Sequence, residues 1–318
     1  MLTALLLLAV GFVAFTNGAN ANFKGVASLY GSGTASLRVA LYWGTAATFA
    51  GSVASAFLAD GLLKSFGGRG IVPDELARTP AFAAAVALGA ALTSFLATRF
   101  GFPVSTTHAL MGALLGVGVA GGWADVRLSA LLKSFVYPLV FSPVVAAVLG
   151  GVVYLLLTAL RLAPDHRNRT LDTLHYLSTG AASFARGLND TPKMAALLLV
   201  APGIDPLSGC LAVAAVIAVG GLLDADRVAE TLGKQVTAMT PGQGFAASLV
   251  TAGLVTTASL HNLPVSTTHV SVGSLLGIGL VTRQAQRWKA VEILAAWVTT
   301  VPCGAVLAAV AYLATVRL

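Results

Sequence analysis

Apolar residues along this chain fall into ten long stretches separated by short polar segments. Five stretches lie in the first half, at residues 2–16, 35–58, 80–98, 103–120 and 134–160. The other five lie in the second half, at residues 174–201, 208–223, 244–260, 265–282 and 290–315. A helix needs about 20 apolar residues to cross a bilayer, and several stretches are shorter or are interrupted by Gly and Pro. The pattern predicts an all-α polytopic membrane protein in which some helices are broken or re-entrant.

The two sets of stretches are separated by RLAPDHRNRT, the most polar run in the chain. This run is too short to fold as a domain, so we interpret it as a linker. The predicted organisation is an N-terminal repeat at residues 1–160, a polar linker at 161–170 and a C-terminal repeat at 171–318.

The composition supports placement in a membrane. The 318-residue chain is 57% hydrophobic and 10% charged, whereas soluble domains carry about 25% charged residues. The net charge of +7 comes from basic residues scattered over short loops, which is typical of a membrane protein and not of a nucleic-acid-binding patch. We therefore expect a multi-pass protein of the inner or plasma membrane, surrounded by lipid and binding no nucleic acid.

The two halves share three motifs in the same order. The pairs are PVSTTHALMGALLGVG (103–118) with PVSTTHVSVGSLLGIG (264–279), NGANANFKG (17–25) with RGLNDTPKM (186–194), and a weaker pair at 59–67 and 225–233. Three pairs in one order indicate an internal duplication. With five stretches per half, an odd number of crossings would invert the second half relative to the first. Inverted repeats with interrupted helices are typical of secondary transporters that bind substrate near the membrane midplane.

The PVSTTH motif has the features of an anion site at a helix start. Pro103 suits the first turn of a helix, and Ser105 can cap the free backbone amides that follow. Those amides and the helix dipole attract anions. The candidate donors are Ser105, Thr106 and Thr107, repeated as Ser266, Thr267 and Thr268. Two such starts brought together by pseudo-twofold symmetry would surround a small oxyanion. The alternative is that they are simply two capped helices packed on each other.

The second motif pair adds amides and charge. Asn20 and Asn189 offer amide donors and carbonyl acceptors, and Asp190 is the acidic residue of the pair. An intramembrane carboxylate indicates a functional site, where Asp190 could bind Na⁺, carry a proton or accept a hydrogen bond from a protonated oxyanion; a helix cap near the membrane surface is the alternative. Lys24 and Lys193 occupy matching positions and could attract an anion, extend to the headgroups or pair with Asp190.

The remaining polar residues provide no pattern for catalysis. His108 and His269 follow the hydroxyl clusters, but without a nearby Cys or paired carboxylates a packing or hydrogen-bonding role is favoured over a metal site. The sequence contains no nucleophile motif, Walker loop or metalloprotease helix. We therefore expect neither an enzyme nor a cofactor.

A duplicated PVSTTH before a Gly-rich apolar helix, with a duplicated GxND-type motif upstream, resembles the inorganic phosphate transporter (PiT) family. The resemblance implies inverted-topology repeats, two re-entrant helical hairpins whose tips hold the substrate, and a homodimer. It also implies transport of phosphate with Na⁺ or H⁺, or of sulfate in some bacterial members. The six hydroxyl residues named above would then line the anion site. Asn20, Asn189 and Asp190 would join the substrate site and a sodium site.

The first half departs from the family pattern at one position. The pattern has Asp after each Asn, which the second half meets with Asp190, but the first half has Ala21. The loss of a carboxylate removes a cation ligand and an acceptor for a phosphate O–H, so it favours sulfate, which has no O–H to donate. Asp190 favours phosphate. The leading hypothesis is an ion-coupled phosphate symporter, and its alternatives are a sulfate permease, a passive anion channel and a membrane-embedded enzyme acting on phosphate esters.

Overall fold

The computed structural model describes residues 1–68, 70–122, 126–232 and 239–317, which are predominantly helical. The first repeat contains α1 (Leu2–Ala21), a 3-10 turn (Asn22–Gly25), α2 (Ala27–Gly31), α3 (Leu37–Leu58), α4 (Asp60–Phe66), α5 (Asp74–Ala77), α6 (Pro80–Arg99), α7 (Thr106–Gly122), α8 (Leu128–Leu131), a π-helical turn (Leu132–Val136) and α9 (Tyr137–Ala159). The second repeat contains α10 (Arg169–Leu198), α11 (Pro206–Asp224), α12 (Asp226–Glu230), α13 (Pro241–Leu260), α14 (Thr267–Val281) and α15 (Arg287–Thr315).

The helices confirm the predicted multi-pass membrane fold. Six of the described helical segments are long and apolar enough to cross a membrane, or seven if α3 and α4, which meet at an 87° bend, form one broken span. α10 is absent from that count because it carries Arg186, Asp190 and Lys193, which are buried inside the protein. Its 30 residues extend about 45 Å, enough to span the bilayer.

Each repeat contains one hairpin of two helices, as predicted. α6 packs against α7, and α13 packs against α14. The two turns contain Gly101 and Asn262 at equivalent positions, with φ angles of 73° and 58°. This left-handed conformation is open to glycine and tolerated by asparagine, so each helix can stop abruptly. Three long helices accompany each hairpin: α1, α3 and α9 in the first repeat, and α10, α11 and α15 in the second. Because three is an odd number of crossings, the second repeat is inverted relative to the first.

The two repeats are intertwined. α3 packs on α10, α11 on α1, α9 on α14 and α15 on α7. The matched glycines of the second motif pair explain part of this packing. A Cβ on Gly18 would lie 2.1 Å from the Ile217 carbonyl oxygen of α11, and one on Gly187 would lie 2.1 Å from the Thr48 carbonyl oxygen of α3. The motif therefore needs glycine at both positions so that helices of opposite repeats can approach closely.

The weaker motif pair also has a structural counterpart. Its first copy forms α4 and its second begins α12, and these short helices directly follow α3 and α11. The last residue of the second copy, Gly233, lies outside the described residues. The segment between α9 and α10 contains the proposed linker, but α10 already begins at Arg169. The exact repeat boundaries stay a prediction.

Candidate anion site

The two PVSTT segments begin two helices whose N-termini face each other inside the protein. Ser105 Oγ accepts a hydrogen bond from the His108 amide, and Ser266 Oγ accepts one from the His269 amide, both at 3.2 Å. The two serines therefore act as helix caps, as their position predicts. Because the hairpin turns bring these capped starts together, both helix dipoles point their positive ends towards one region.

Hydrogen bonds connect the two hairpin tips directly. Thr107 Oγ1 donates to the Val265 carbonyl oxygen at 3.3 Å, and Thr268 Oγ1 donates to the Val104 carbonyl oxygen at 3.0 Å. Each hydroxyl thus bonds the backbone of the opposite repeat. Thr106 and Thr267 lie beside them, where Thr106 accepts from Asn17 Nδ2 at 2.9 Å.

Two lysine side chains lie where the hairpin tips meet. Lys24 Nζ donates to the Val104 carbonyl at 2.7 Å and to Thr268 Oγ1 at 2.5 Å. Lys193 Nζ donates to the Val265 carbonyl at 2.9 Å and to Thr107 Oγ1 at 2.7 Å. Each ammonium therefore links a carbonyl of its own repeat to a hydroxyl of the other. Both lysines are buried, so neither extends to the headgroups.

Asp190 is surrounded by hydrogen-bond donors. Its Oδ1 accepts from Lys193 Nζ and Asn189 Nδ2, both at 3.1 Å. Its Oδ2 accepts from Asn17 Nδ2 at 3.4 Å and Thr267 Oγ1 at 3.5 Å. Asp190 lies in the middle of α10 and is only 4% exposed, so it does not cap a helix at the membrane surface. Its pairing with Lys193 agrees with one of the alternatives weighed from the sequence.

Arg186 is a member of the site that the sequence analysis did not single out. Its Nε lies 3.7 Å from Asp190 Oδ2, and its terminal nitrogens donate to Asn22 Oδ1 and the Asn17 carbonyl, both at 3.2 Å. The side chain of Asn17 is a further acceptor for the same guanidinium. The signal was available, because Arg186 begins the second copy of a duplicated motif within an apolar stretch, where a charged residue is costly.

Asn20 and Asn189 position the two hairpin turns. Asn20 accepts from the Val104 amide at 3.0 Å and donates to the Phe102 carbonyl at 2.9 Å. Asn189 donates to the Val265 carbonyl at 3.1 Å, and its own oxygen accepts from Ser259 at 3.3 Å. The side-chain oxygens of both residues and of Asp190 thus already accept hydrogen bonds. The sodium site predicted at Asn20, Asn189 and Asp190 stays a prediction.

The charges at this centre do not cancel. Lys24, Arg186 and Lys193 carry three positive charges against the single negative charge of Asp190, which leaves a formal charge of +2, and all four side chains are at most 5% exposed. Ala21, the counterpart of Asp190, is also buried but adds no charge. Uncompensated charge at membrane depth is unfavourable. A bound dianion would cancel it.

His108 and His269 pack against each other beside the site. Their ring centroids are 4.5 Å apart, and the His269 ring stacks on Trp297 at 3.8 Å. His269 Nδ1 also lies 3.1 Å from the Leu139 carbonyl oxygen. Among the described residues there is no cluster of three or more metal-ligating side chains. The two rings thus pack against each other at the starts of α7 and α14.

Comparisons with known proteins agree with this architecture. The sequence pattern of the phosphate transporter family (PHO4) matches residues 17–172 and again residues 163–308. The chain is 31% identical over 319 residues to a probable low-affinity inorganic phosphate transporter of Rhizobium meliloti, covering 95% of this chain and 93% of that protein. It is 30% identical over 275 residues to the sulfate permease CysP of Bacillus subtilis, covering 85% of this chain and 75% of the permease.

A solved structure has the same fold. The structure described as the sodium-dependent phosphate transporter superposes with a TM-score of 0.84 and 21% identity, covering 100% of this chain and 99% of the other. The two matches of the family pattern fall on the two repeats recognised from the duplicated motifs. The family and the fold are those of transporters and not of enzymes. The chain is a multi-pass membrane protein that belongs to the phosphate transporter family.

Proposed function

We propose that this protein is a symporter that carries inorganic phosphate together with protons, and that the anion binds between the starts of α7 and α14. The observation that carries the proposal is the formal charge of +2 at a buried centre formed by two helix N-termini. Hydrogen phosphate carries two negative charges, so its binding would neutralise this centre. Free helix amides and Ser and Thr hydroxyls would supply neutral donors around it.

The two lysines have a specific role in this proposal. On binding, the ammonium groups of Lys24 and Lys193 would turn from the Val104 and Val265 carbonyls towards the anion. The Val104 carbonyl would then keep its hydrogen bond from Thr268 but have one lone pair free, whereas the Val265 carbonyl would still accept from Thr107 and Asn189. Phosphate has an O–H to donate to that free lone pair, whereas sulfate has none. A site that leaves buried acceptors unpaired discriminates against the ligand that lacks the donor. This reasoning favours phosphate.

Charge balance supports protons as the coupling ions. A sodium ion near Asp190 would need oxygen ligands that now accept hydrogen bonds from protein groups. It would also be repelled, because it would enter a region with a formal charge of +2. Protons avoid both obstacles. If Lys24 and Lys193 each released a proton when the anion leaves, the empty carrier would return without buried excess charge, and a buried lysine can lose its proton more readily than an exposed one. Two protons would then accompany each hydrogen phosphate.

Sulfate is the second candidate substrate. Asp190 already accepts four hydrogen bonds from protein groups, and Ala21 provides no second carboxylate to receive a phosphate O–H. This chain is similar both to a protein named as a probable phosphate transporter and to one named as a sulfate permease. The similarity is therefore compatible with either anion. A sulfate permease would use the same lysines and helix starts, but its substrate would have no O–H to replace the Lys24 ammonium at the Val104 carbonyl.

Uptake by purified protein in proteoliposomes separates these functions. Labelled phosphate and labelled sulfate are supplied while a pH gradient and a sodium gradient are imposed separately. We expect phosphate to accumulate when the outside is more acidic, with no response to sodium. Preferential uptake of sulfate would select the second candidate. Anion flow that follows only its own gradient would indicate a passive channel. Homodimer formation in the plasma membrane stays a prediction, to be checked by cross-linking in native membranes.

A further inference from the structure

The two repeats differ in the polarity of the groups that lead from the anion site towards the membrane surface. α10 carries buried His175 and Ser183 where the equivalent positions of α1 are Leu6 and Ala14. The hairpins differ in the same way: Ser248 and Ser271 of the second hairpin correspond to Ala87 and Leu110 of the first. Leu6, Ala14, Ala87 and Leu110 all belong to one apolar core, so at these four pairs of positions the polar side chains lie in the second repeat only.

The polar side forms a chain of hydrogen-bonded groups. Ser28 Oγ lies 2.9 Å from His175 Nε2 and 2.7 Å from Ser248 Oγ. The other ring nitrogen, His175 Nδ1, lies 3.5 Å from Thr34 Oγ1, which in turn lies 2.9 Å from Ser32 Oγ. His175 has no exposed surface. Every link is a hydroxyl or an imidazole, and both kinds of group can accept and donate a proton.

The inner end of this chain reaches the anion site. A cavity of about 10 Å³ lies between Lys24, Ser28, Ser248, Thr251 and Ser271. That volume accommodates roughly one water molecule, and such a site retains water when several polar groups surround it. Ser271 Oγ also donates to the Lys24 carbonyl at 3.2 Å. One water there would lie beside the Ser28–Ser248 pair and Lys24, and the Lys24 amino group would meet it by turning away from Val104 and Thr268. The cavity is too small for a phosphate ion.

The outer end lies next to the segment that joins the two repeats. Gly33, which follows Ser32, is exposed and accepts a hydrogen bond from the Arg167 guanidinium at 3.1 Å. Arg167 also pairs with Asp172 at 2.8 Å, and the hydrogen bond and charge of Asp172 raise the pKa of Arg167 above its usual value. Asp172 and Arg167 are the charged groups at the His175 end, and Lys24, Arg186, Asp190 and Lys193 are those at the anion site.

We propose that Ser28, His175 and Thr34 form a proton relay between the linker side of the membrane and Lys24. This proposal rests on proton-coupled transport. A proton from the surface would pass through Ser32 and Thr34 to His175 Nδ1, while the proton on Nε2 leaves to Ser28 Oγ. Ser28 passes its own proton through the bound water to a Lys24 Nζ that has lost one. One proton enters and one lysine becomes charged, so the balance closes without a further reactant. The anion uses a different route, because the chain is too narrow for it.

The equivalent residues of the other repeat support this assignment. Leucine and alanine at the positions of His175 and Ser248 show that the fold itself does not need polar groups there. Small hydroxyl residues often serve helix packing in membranes, and Ser178 is an example, since its Oγ donates to the His175 carbonyl of its own helix at 3.0 Å. Ser178 thus provides a matched control that is outside the relay.

The test compares His175→Leu, Ser28→Ala and Ser178→Ala with the unmodified protein in proteoliposomes. His175→Leu introduces leucine, which is the residue at the equivalent position of the first repeat, Leu6. Exchange of labelled for unlabelled phosphate at equal pH needs no net proton movement, whereas uptake driven by a pH gradient does. Proton entry is followed with a trapped pH-sensitive dye. We expect His175→Leu and Ser28→Ala to lower proton-driven uptake and proton entry by about tenfold or more, with exchange preserved, and Ser178→Ala to change neither.

The other outcomes overturn the relay. Proton entry at the unmodified rate in both His175→Leu and Ser28→Ala would show that protons reach the site elsewhere. Parallel loss of exchange and proton entry in both variants would show that the residues support folding or anion binding. Failure of the proposed function has a separate result: the unmodified protein would then exchange no phosphate, or would take it up without protons.

Discussion

Lys24 and Lys193 occupy equivalent positions and make equivalent hydrogen bonds, each to a carbonyl of its own repeat and to a hydroxyl of the other repeat. Further from this centre the equivalence ends. Leu6 of α1 belongs to an apolar core, whereas its counterpart His175 hydrogen-bonds to hydroxyl groups. The two regions of the molecule therefore differ: residues of the two repeats largely match at the anion centre, but they do not match along the paths that lead outward from it.

This difference separates two physical requirements. An anion held between two helix starts needs donors from both, so matching residues are useful in both repeats. A proton route needs an unbroken series of hydrogen-bonding groups on one side only, and apolar packing on the other side keeps water and ions out. Two pairs of residues are exceptions within the centre itself, since Asp190 corresponds to Ala21 and Arg186 corresponds to Asn17.

Asp190→Asn should have the largest effect. The amide is nearly isosteric but removes the only negative charge among the four charged side chains of the centre, which would leave Lys24, Arg186 and Lys193 uncompensated. Breaking a buried ion pair on one side costs roughly 3–5 kcal/mol. We expect phosphate transport to be lost and the free energy of unfolding to fall, as measured by uptake and by thermal unfolding in detergent.

The control for that change is Asp205→Asn, which alters the same group at an exposed position. Asp205 caps the start of α11, a role that asparagine also performs. This variant should transport and unfold like the unmodified protein. Gradient-driven uptake at the normal rate by a stable Asp190→Asn protein would refute the role given to Asp190 and favour a passive channel.

Thr107→Val and Thr268→Val should have the next largest effect, and the two should be similar. Each removes a hydroxyl that contacts both a lysine and a carbonyl of the opposite repeat. A lost hydrogen bond to a charged group amounts to about 1.5–3 kcal/mol, or roughly tenfold or more in affinity. Phosphate affinity is measured by equilibrium binding. Normal affinity in both variants would mean that the hydroxyls only join the hairpin tips, and a large difference between them would show that the centre is not symmetric in function.

Ala21→Asp should make the centre more symmetric and lower its formal charge to +1. The new carboxylate would stand three residues before Lys24, as Asp190 stands before Lys193. We expect weaker phosphate binding, because less positive charge attracts the anion, together with a stimulation of uptake by sodium that the unmodified protein lacks. Ala21→Asn, which adds a similar volume without charge, is the control. Equal behaviour of the two variants would refute the electrostatic explanation.

Much of the architecture was predictable from local patterns. The apolar stretches gave approximate helix positions, and PVSTTH predicted two capped helix starts because proline and serine act on their immediate neighbours. The apolar stretch that predicts α10 begins at residue 174, whereas the helix begins at Arg169, because the residues of its first turns are mostly polar.

The contacts that cross between repeats could not be predicted. Each lysine bonds a hydroxyl of the other repeat, and which hydroxyl is near depends on how the hairpins meet. His175 had no pattern in the sequence, since its hydrogen-bond partners Ser28 and Thr34 lie far before it in the chain, in the other repeat. Arg186 was the exception, because its position within an apolar stretch was itself a signal.

Gly244→Ala should have the smallest effect, and it tests the outward path without removing any polar group. A Cβ at Gly244 would lie 2.7 Å from His175 Cε1, so the imidazole would have to shift, which would disturb its hydrogen bonds with Ser28 and Thr34. The equivalent position in the first repeat is Ala83, which belongs to the same apolar core as Leu6. A side chain at this position is therefore accommodated in the first repeat, where leucine takes the place of the histidine. We expect proton entry per phosphate to fall severalfold while phosphate exchange continues, since the anion centre is untouched. The reciprocal change, Ala83→Gly, should leave proton entry unaltered. If Gly244→Ala left proton entry unaltered as well, the position of the His175 ring would not matter for coupling, and the contrast between the two paths would reflect packing alone.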